Sequence, residues 1–289
     1  QGHELLRRGD VLFVINIPNN FERDFVRGER PQLLIEADAS DPVAISGAVS
    51  AANGMLRTVL AEELKGPLSS LLNDPSPIEI RTHQLYNPEG FTRYNMVPGL
   101  IAIILTMTGI MMTSLAMTRE RERGTMENLL AMPVSPLEVM VGKITPYVLI
   151  GFFQSVLIIV FAKTLFGVPI IGSLGLLFFA LTIFITCNMA LGFTISAMAS
   201  NQTQALQLSF MAMLPSIMLS GFLFPFLGMP GWAQVIGNTI PATHFIQISR
   251  GILLKGSDFA DIWPSLWPLL IFMVVITIIA MRCYRQTLD

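Results

Sequence analysis

From Thr164 to Ser249 the chain contains no Asp, Glu, Lys or Arg. Soluble domains devote about a quarter of their residues to those four types, so a stretch of this length without one has no water-facing surface to offer and belongs in a bilayer. The whole chain agrees, with 52% of its 289 residues hydrophobic, only 13% charged and a mean hydropathy of +0.61. Residues 1–93 hold 13 of the 20 acidic and 9 of the 18 basic side chains, the mark of a water-soluble domain followed by a membrane domain. A net charge of −2 provides no basic excess for nucleic acid.

Five apolar segments, near 95–118, 140–166, 174–198, 205–228 and 264–283, approach the ~20 residues that span ~30 Å of hydrocarbon. Pro146 and Pro215 fall inside two of them. Prolines persist at such depth where neighbouring helices satisfy the freed carbonyls, so a packed bundle is expected. Residues 229–263 are too polar and broken to cross, and Trp232, Trp263 and Trp267 bracket them as side chains do at a membrane interface. Short interfacial or re-entrant helices are expected there. Cys187 lies within an apolar run and Cys283 near the end of another, so both are expected unpaired.

Orientation follows from the basic residues in the short loops and flanks. Arg119, Arg121, Arg123, Lys143, Arg282 and Arg285 gather on one side, against Lys163, Arg250 and Lys255 on the other. The first side is therefore expected to be cytoplasmic, with residues 229–263 outside, the C-terminus cytoplasmic and residues 1–93 extracytoplasmic. The chain opens at Gln1 without an initiator Met or a signal-peptide core. Five crossings would leave that end outside, so an upstream helix, the sixth, is expected. The fold class is then an α-helical polytopic membrane protein, five spanning helices present and six in the full chain, with an N-terminal extracytoplasmic α/β domain. The boundary is set at 1–93 and 94–289.

In the first third, Val11–Ile17 is a β-branched run ended by Pro18 and is expected as a buried strand. Asn19 and Glu22 open a short helix with Phe21 and Phe25 on one face, and Gln32–Ala37 forms a second strand. Asp41 and Pro42 start a longer helix striped by Ile45, Val49, Ala52, Leu56, Leu60 and Leu64. Ile78–Thr82 is a third strand. This order argues a small α/β domain. His3 and His83 are expected in surface or structural roles, and Glu36 and Asp38 in a solvated turn.

The segment Arg119–Lys143, RERERGTMENLLAMPVSPLEVMVGK, is a charged island between two spans. Ser135-Pro136-Leu137-Glu138 is a helix start, with Ser as cap, Pro at the first position and Glu at the third. A separate short helix must precede it, capped by Thr125, with Glu127 in its first turn and an apolar side of Met126, Leu129, Leu130 and Met132 before Pro133 stops it. On the residues alone, Arg119–Arg123 either anchor a helix end by snorkelling to headgroups or belong to a docking element for a cytoplasmic partner.

The island resembles the coupling segment of ABC-2-type transporter permeases, whose pattern is close to E-x-x-x-G-T-x-E-x-L-L-x-x-P. Here the pattern falls on Glu120, Gly124, Thr125, Glu127, Leu129, Leu130 and Pro133. Leu219–Gly256, LSGFLFPFLGMPGWAQVIGNTIPATHFIQISRGILLKG, is similar to the family's outer segment before its last helix. The resemblance covers essentially the whole chain and departs from the family in the absent first helix. It implies an inner-membrane permease that pairs with itself or a second permease and with two cytoplasmic ABC ATPase subunits carrying ATP and Mg. It also implies that ATPase closure is coupled through Glu120, Arg121, Arg123, Gly124, Thr125, Glu127, Leu129, Leu130 and Pro133, and that a drug-like or lipid-like cargo moves outward. A periplasmic adaptor is a further possible partner of the external domain.

The chain lacks an ATP site of its own. Its only Gly-Lys pair, Gly142-Lys143, has Leu137 where a Walker A loop needs its first Gly and Ile144 where it needs a hydroxyl. No cofactor is expected on this chain, nor a metal. An intramembrane protease is disfavoured by the lack of H-E-x-x-H and G-x-S-x-G. An ion-coupled carrier or channel would place charge at mid-membrane, and 164–249 has none. Gln154, Asn188, Gln202, Gln204 and Gln207 are candidates for a substrate path, with interhelical hydrogen bonding as the ordinary alternative. His244 is a candidate outer gate or a structural histidine. The 17 Met residues are either packing or an adaptable surface for hydrophobic cargo.

Overall fold

The computed structural model describes residues 2–9, 11–27, 29–41, 78–123 and 136–286, together with positions 45, 47, 50, 51, 54, 55 and 58. It divides into two compact units, residues 1–95 and 96–289.

In the first unit, α1 (Gly2–Arg8), β1 (Phe13–Asn16), α2 (Phe21–Val26), β2 (Gln32–Asp38) and β3 (Glu79–Leu85) follow in order. The three strands form one sheet in the order β1-β2-β3, antiparallel for the first pair and parallel for the second, with Ile15 opposite Ile35 and Leu33 opposite Ile80. Residues opposite each other share a face. Leu33, Ile35 and Ile78 are buried there, with Phe21, Phe25 and Ile80 packed against them. The two phenylalanines stack with centroids 6.4 Å apart.

Two expectations for this unit change. The first strand is not buried, since Phe13 and Ile15 remain 42% and 44% exposed. A β-branched run specifies a strand without specifying neighbours, and β1 lies at the edge of the sheet. Asp38 is buried rather than solvated and holds the turn locally, its Oδ1 accepting from the Ser40 amide at 3.1 Å and hydroxyl at 2.6 Å. In addition, the cap of α2 is Asn20, without a side-chain hydrogen bond, in place of Asn19. His3 faces Glu36 at 3.4 Å. Most of the helix expected from Asp41 lies outside the described residues. Ile45, the first of its stripe, is buried with Ala37 and Ala39.

The membrane unit is helical. Its elements are α3 (Thr92–Glu122), α4 (Pro136–Thr164), α5 (Leu174–Met198), α6 (Gln202–Leu219), α7 (Gly231–Gly237), α8 (Pro241–Arg250) and α9 (Phe259–Gln286), with a 3-10 turn at Phe226–Gly228 and a π-helical turn at Gly251–Lys255. Among the described residues four helices, α3, α4 from Val141, α5 and α9 to Cys283, are long and apolar enough to cross a membrane. The remaining segment, 205–228, is helical only to Leu219: Ser220 ends α6 and Gly221 takes φ +81°. Gln202, Gln204 and Gln207 on its first turns dilute its apolar character. Residues 229–263 form short helices too brief to span, as expected, and Trp232, Trp263 and Trp267 remain exposed.

The core of this unit is built on α5. Leu177, Leu181, Phe184 and Phe193 are buried completely or nearly so, and Phe184 stacks on Phe245 of α8 at 4.3 Å. Helix α3 crosses α5 so closely that a Cβ on Gly192 would stand 2.6 Å from the Ile110 carbonyl oxygen. Glycine is what permits that approach. At one end of the bundle the Ile171 and Gly172 amides donate to the Leu253 and Ile252 carbonyls at 3.1 and 3.0 Å, tying the α4–α5 connection to the π turn. Both cysteines are free.

Candidate functional site

Helix α3 carries a file of hydroxyls toward its charged end. Thr113 faces the Met189 sulfur at 2.9 Å, Ser114 bonds Ser209 of α6 at 2.8 Å, and Thr118 bonds Ser196 of α5 at 3.1 Å. Inside an apolar bundle such contacts hold helices in one register.

The charges follow one turn further on. The Lys143 ammonium of α4 pairs with the Glu120 carboxylate. Arg119 Nε donates to Gln202 Oε1 at 3.4 Å. A guanidinium nitrogen of Arg121 faces the Ala197 and Ala199 carbonyl oxygens at 3.4 and 3.5 Å, at the C-terminus of α5. Glu122 accepts from the Gln202 backbone amide at 2.8 Å and from its side-chain amide as well. Arg123 closes the last turn, its amide donating to the Arg119 carbonyl at 3.1 Å. The end of α3 therefore meets α4, α5 and α6 at once.

The start of α6 is organised to receive it. Asn201 Oδ1 accepts from the Gln204 amide at 2.8 Å, and Gln204 Oε1 accepts from the Ser200 amide at 2.7 Å. This is a capping arrangement, so Gln204 bonds the start of its own helix, while Gln202 bonds Glu122 and Arg119 of α3. Helix α4 begins at Pro136 with Glu138 in its first turn, as the sequence predicts. Gly124, Thr125, Glu127, Leu129, Leu130, Pro133 and the cap Ser135 lie outside the described residues.

These groups tie the ends of four helices together. The sequence pattern described as ABC-2 family transporter protein matches residues 1–282. The chain belongs to the ABC-2 transporter family. The inner membrane transport permease YhhJ of Escherichia coli (strain K12) is 32% identical over 291 aligned positions, which take in 98% of this chain and 75% of the relative. The probable multidrug ABC transporter permease YbhR of the same organism is 30% identical over 276 positions, 96% and 74% of the two chains. The ABC transporter G family member 20 of Dictyostelium discoideum is 29% identical over 213 positions, 72% of this chain and 29% of that protein. The ABC-2 protein is thus a multi-pass membrane protein, and the segment recognised by its E-x-x-x-G-T pattern is carried between the helix ends just described.

Of the remaining candidates in this ABC-2 chain, Gln154 and Asn188 meet the same stretch of α3, at Thr108 and Gly109, while Gln207 and His244 lie on other helices. Gln154 of α4 accepts from Thr108 at 2.9 Å beside a narrow crevice lined by Gly109, Tyr147 and Met189. Asn188 is fully buried in α5; its Nδ2 donates to the Phe184 carbonyl at 2.9 Å while its Oδ1 has no partner among the described residues. Gln207 is exposed on α6. His244 is buried in α8, its Nε2 donating to the Asn238 carbonyl at 2.9 Å, and burial holds its pKa below the ordinary imidazole value. An apolar cleft of about 380 Å³ lies beyond α6, lined by Met218, Leu219, Phe224, Met229 and Trp232 among others. Sequence reasoning missed Glu122 and Ser114, whose partners are far along the chain. It also missed the start of α6, although N-x-x-Q at Asn201–Gln204 signals one.

Proposed function

We propose that this ABC-2 protein is the membrane-spanning permease subunit of an ATP-driven exporter. Separate cytoplasmic ABC ATPase subunits hold ATP and Mg and dock on residues 124–133, with Glu120, Arg121 and Arg123 at the base of the docking segment. The observation that carries this reading is the framing of that segment. Its two stems, α3 and α4, are bridged by Glu120 and Lys143, and the same turn of α3 is bonded to α5 and α6. A push on 124–133 is thereby delivered to four helices.

The distribution of basic residues supports a cytoplasmic position for this end and for the C-terminus, with residues 1–93 outside. Residues 94–289 make up the permease domain. Helix α6 is the fifth crossing: its 18 residues extend about 27 Å, close to the hydrocarbon thickness. The apolar Met-bearing cleft and the multidrug name of the YbhR relative support a lipophilic or amphipathic cargo. Two copies, or this chain with a second permease, would complete the translocation unit, and the external domain is where an envelope adaptor would bind.

The test is co-purification followed by transport. An ABC ATPase should co-purify with the wild-type chain and be lost from Glu127→Lys and Leu130→Lys variants that still fold. Inverted vesicles containing the complex should accumulate a lipophilic fluorescent dye only with ATP. A stable protein that retains no ATPase would overturn the proposal.

A further inference from the structure

At the end of α3 two adjacent residues of opposite charge meet two helix termini of opposite polarity. Arg121 faces the last carbonyls of α5, at Ala197 and Ala199. Glu122 accepts the first amide of α6, that of Gln202. A helix concentrates partial negative charge at its C-terminus and partial positive charge at its N-terminus, so each side chain lies on the end that attracts it. Residues 164–249 supply no Asp, Glu, Lys or Arg of their own, so charge that reaches the Ala199–Asn201 turn comes from other parts of the chain. Arg119 adds a third hold through Gln202.

We propose that Arg121 and Glu122 are positioning residues that clamp the α5–α6 turn to α3 and relay movement of the docking segment into α5 and α6. This rests on the docking reading given above. Each charge at a helix terminus changes a two-state equilibrium by roughly two- to fivefold, so the pair is strong enough to bias the turn and weak enough to be broken within a transport cycle. Above the clamp, the Thr118–Ser196 and Ser114–Ser209 bonds repeat the same two connections, one to α5 and one to α6. The relay continues into the bundle along them.

The experiment is hydrogen exchange on the permease with its co-purified ATPase, with and without ATP plus orthovanadate. In the wild type, trapping should change exchange both in peptides covering 124–135 and in peptides covering 196–206. Glu122→Ala should keep the first change and lose most of the second, and Glu122→Gln, which keeps an acceptor, should fall between. The charge swap Arg121→Glu/Glu122→Arg should couple worse than Glu122→Ala, because each charge then repels its helix end. A wild type that responds at 124–135 but not at 196–206 overturns the clamp and leaves docking intact. A wild type that responds at neither overturns both. A swap that behaves as wild type also overturns the clamp, since it would show the two residues serving only each other.

Discussion

The Lys143 ammonium rests on the Glu120 carboxylate, 23 residues earlier in the chain, and so closes the base of the segment that carries the family's coupling pattern. Lys143 is 17% exposed and Glu120 43%. Water screens the carboxylate side, so the pair contributes no more to stability than the about 0.2–1 kcal/mol typical of exposed pairs. Its larger effect falls on the spacing of the two stems. Glu120→Lys or Lys143→Glu should lower ATP-driven dye uptake in vesicles severalfold with little change in melting temperature. The double variant should recover most of the loss. A double variant as poor as the singles would show that the pair does not set the spacing.

Gly192 marks a close approach of α3 and α5. A Cβ there would lie 2.6 Å from the Ile110 carbonyl oxygen and 3.0 Å from Thr113 Cβ. Backbone cannot retreat as the tip of a side chain can. Gly192→Ala should therefore destabilise the protein by about 1–3 kcal/mol, the usual range for overpacking. Gly142, inside α4 with nothing among the described residues within 4 Å of where its Cβ would stand, is the control. Gly142→Ala should be neutral or stabilise by up to about 1 kcal/mol through helix propensity. Thermal melts of both in detergent decide the point.

Much of this architecture was legible because its signals are local. The Leu174–Met198 run carries no charged residue and opens on Ser173, whose hydroxyl caps α5. Pro136 announced α4. The start of α6 was harder, because the polar residues that open it, Asn201 and Gln204, lie before the apolar run at 205–228 and act as capping groups. The exposure of β1 was not legible, since a strand's burial depends on neighbours the strand does not encode. The partners of Glu122 and Ser114 are likewise 80 and 95 residues away, and nothing in a charged run says which helix end it will meet. The family pattern marked residues 120–133, but only the structure placed Arg121 and Glu122 on the α5–α6 turn.

Asn188 separates packing from cargo handling. Its buried Oδ1 is unpaired among the described residues, and an unsatisfied buried polar atom costs about 1–3 kcal/mol. Asn188→Leu should therefore leave the melting temperature unchanged or raise it. If Asn188 serves the cargo, the same variant should lose dye uptake while ATP hydrolysis by the complex continues. Retained uptake in a stabilised variant would assign Asn188 to helix packing alone.

His244 predicts a dependence on pH. Burial disfavours its charged form, so the folded-state pKa lies below the roughly 6.5 expected of the unfolded chain. As pH falls through about 6.5 the unfolded state takes up a proton that the folded state refuses, and stability declines. The decline continues until the folded-state pKa is reached, then levels off. His244→Asn keeps a donor for the Asn238 carbonyl but cannot titrate. Its melting temperature should fall less than that of the wild type between pH 7.5 and about 5, and identical pH profiles would exclude His244 as the responsible group.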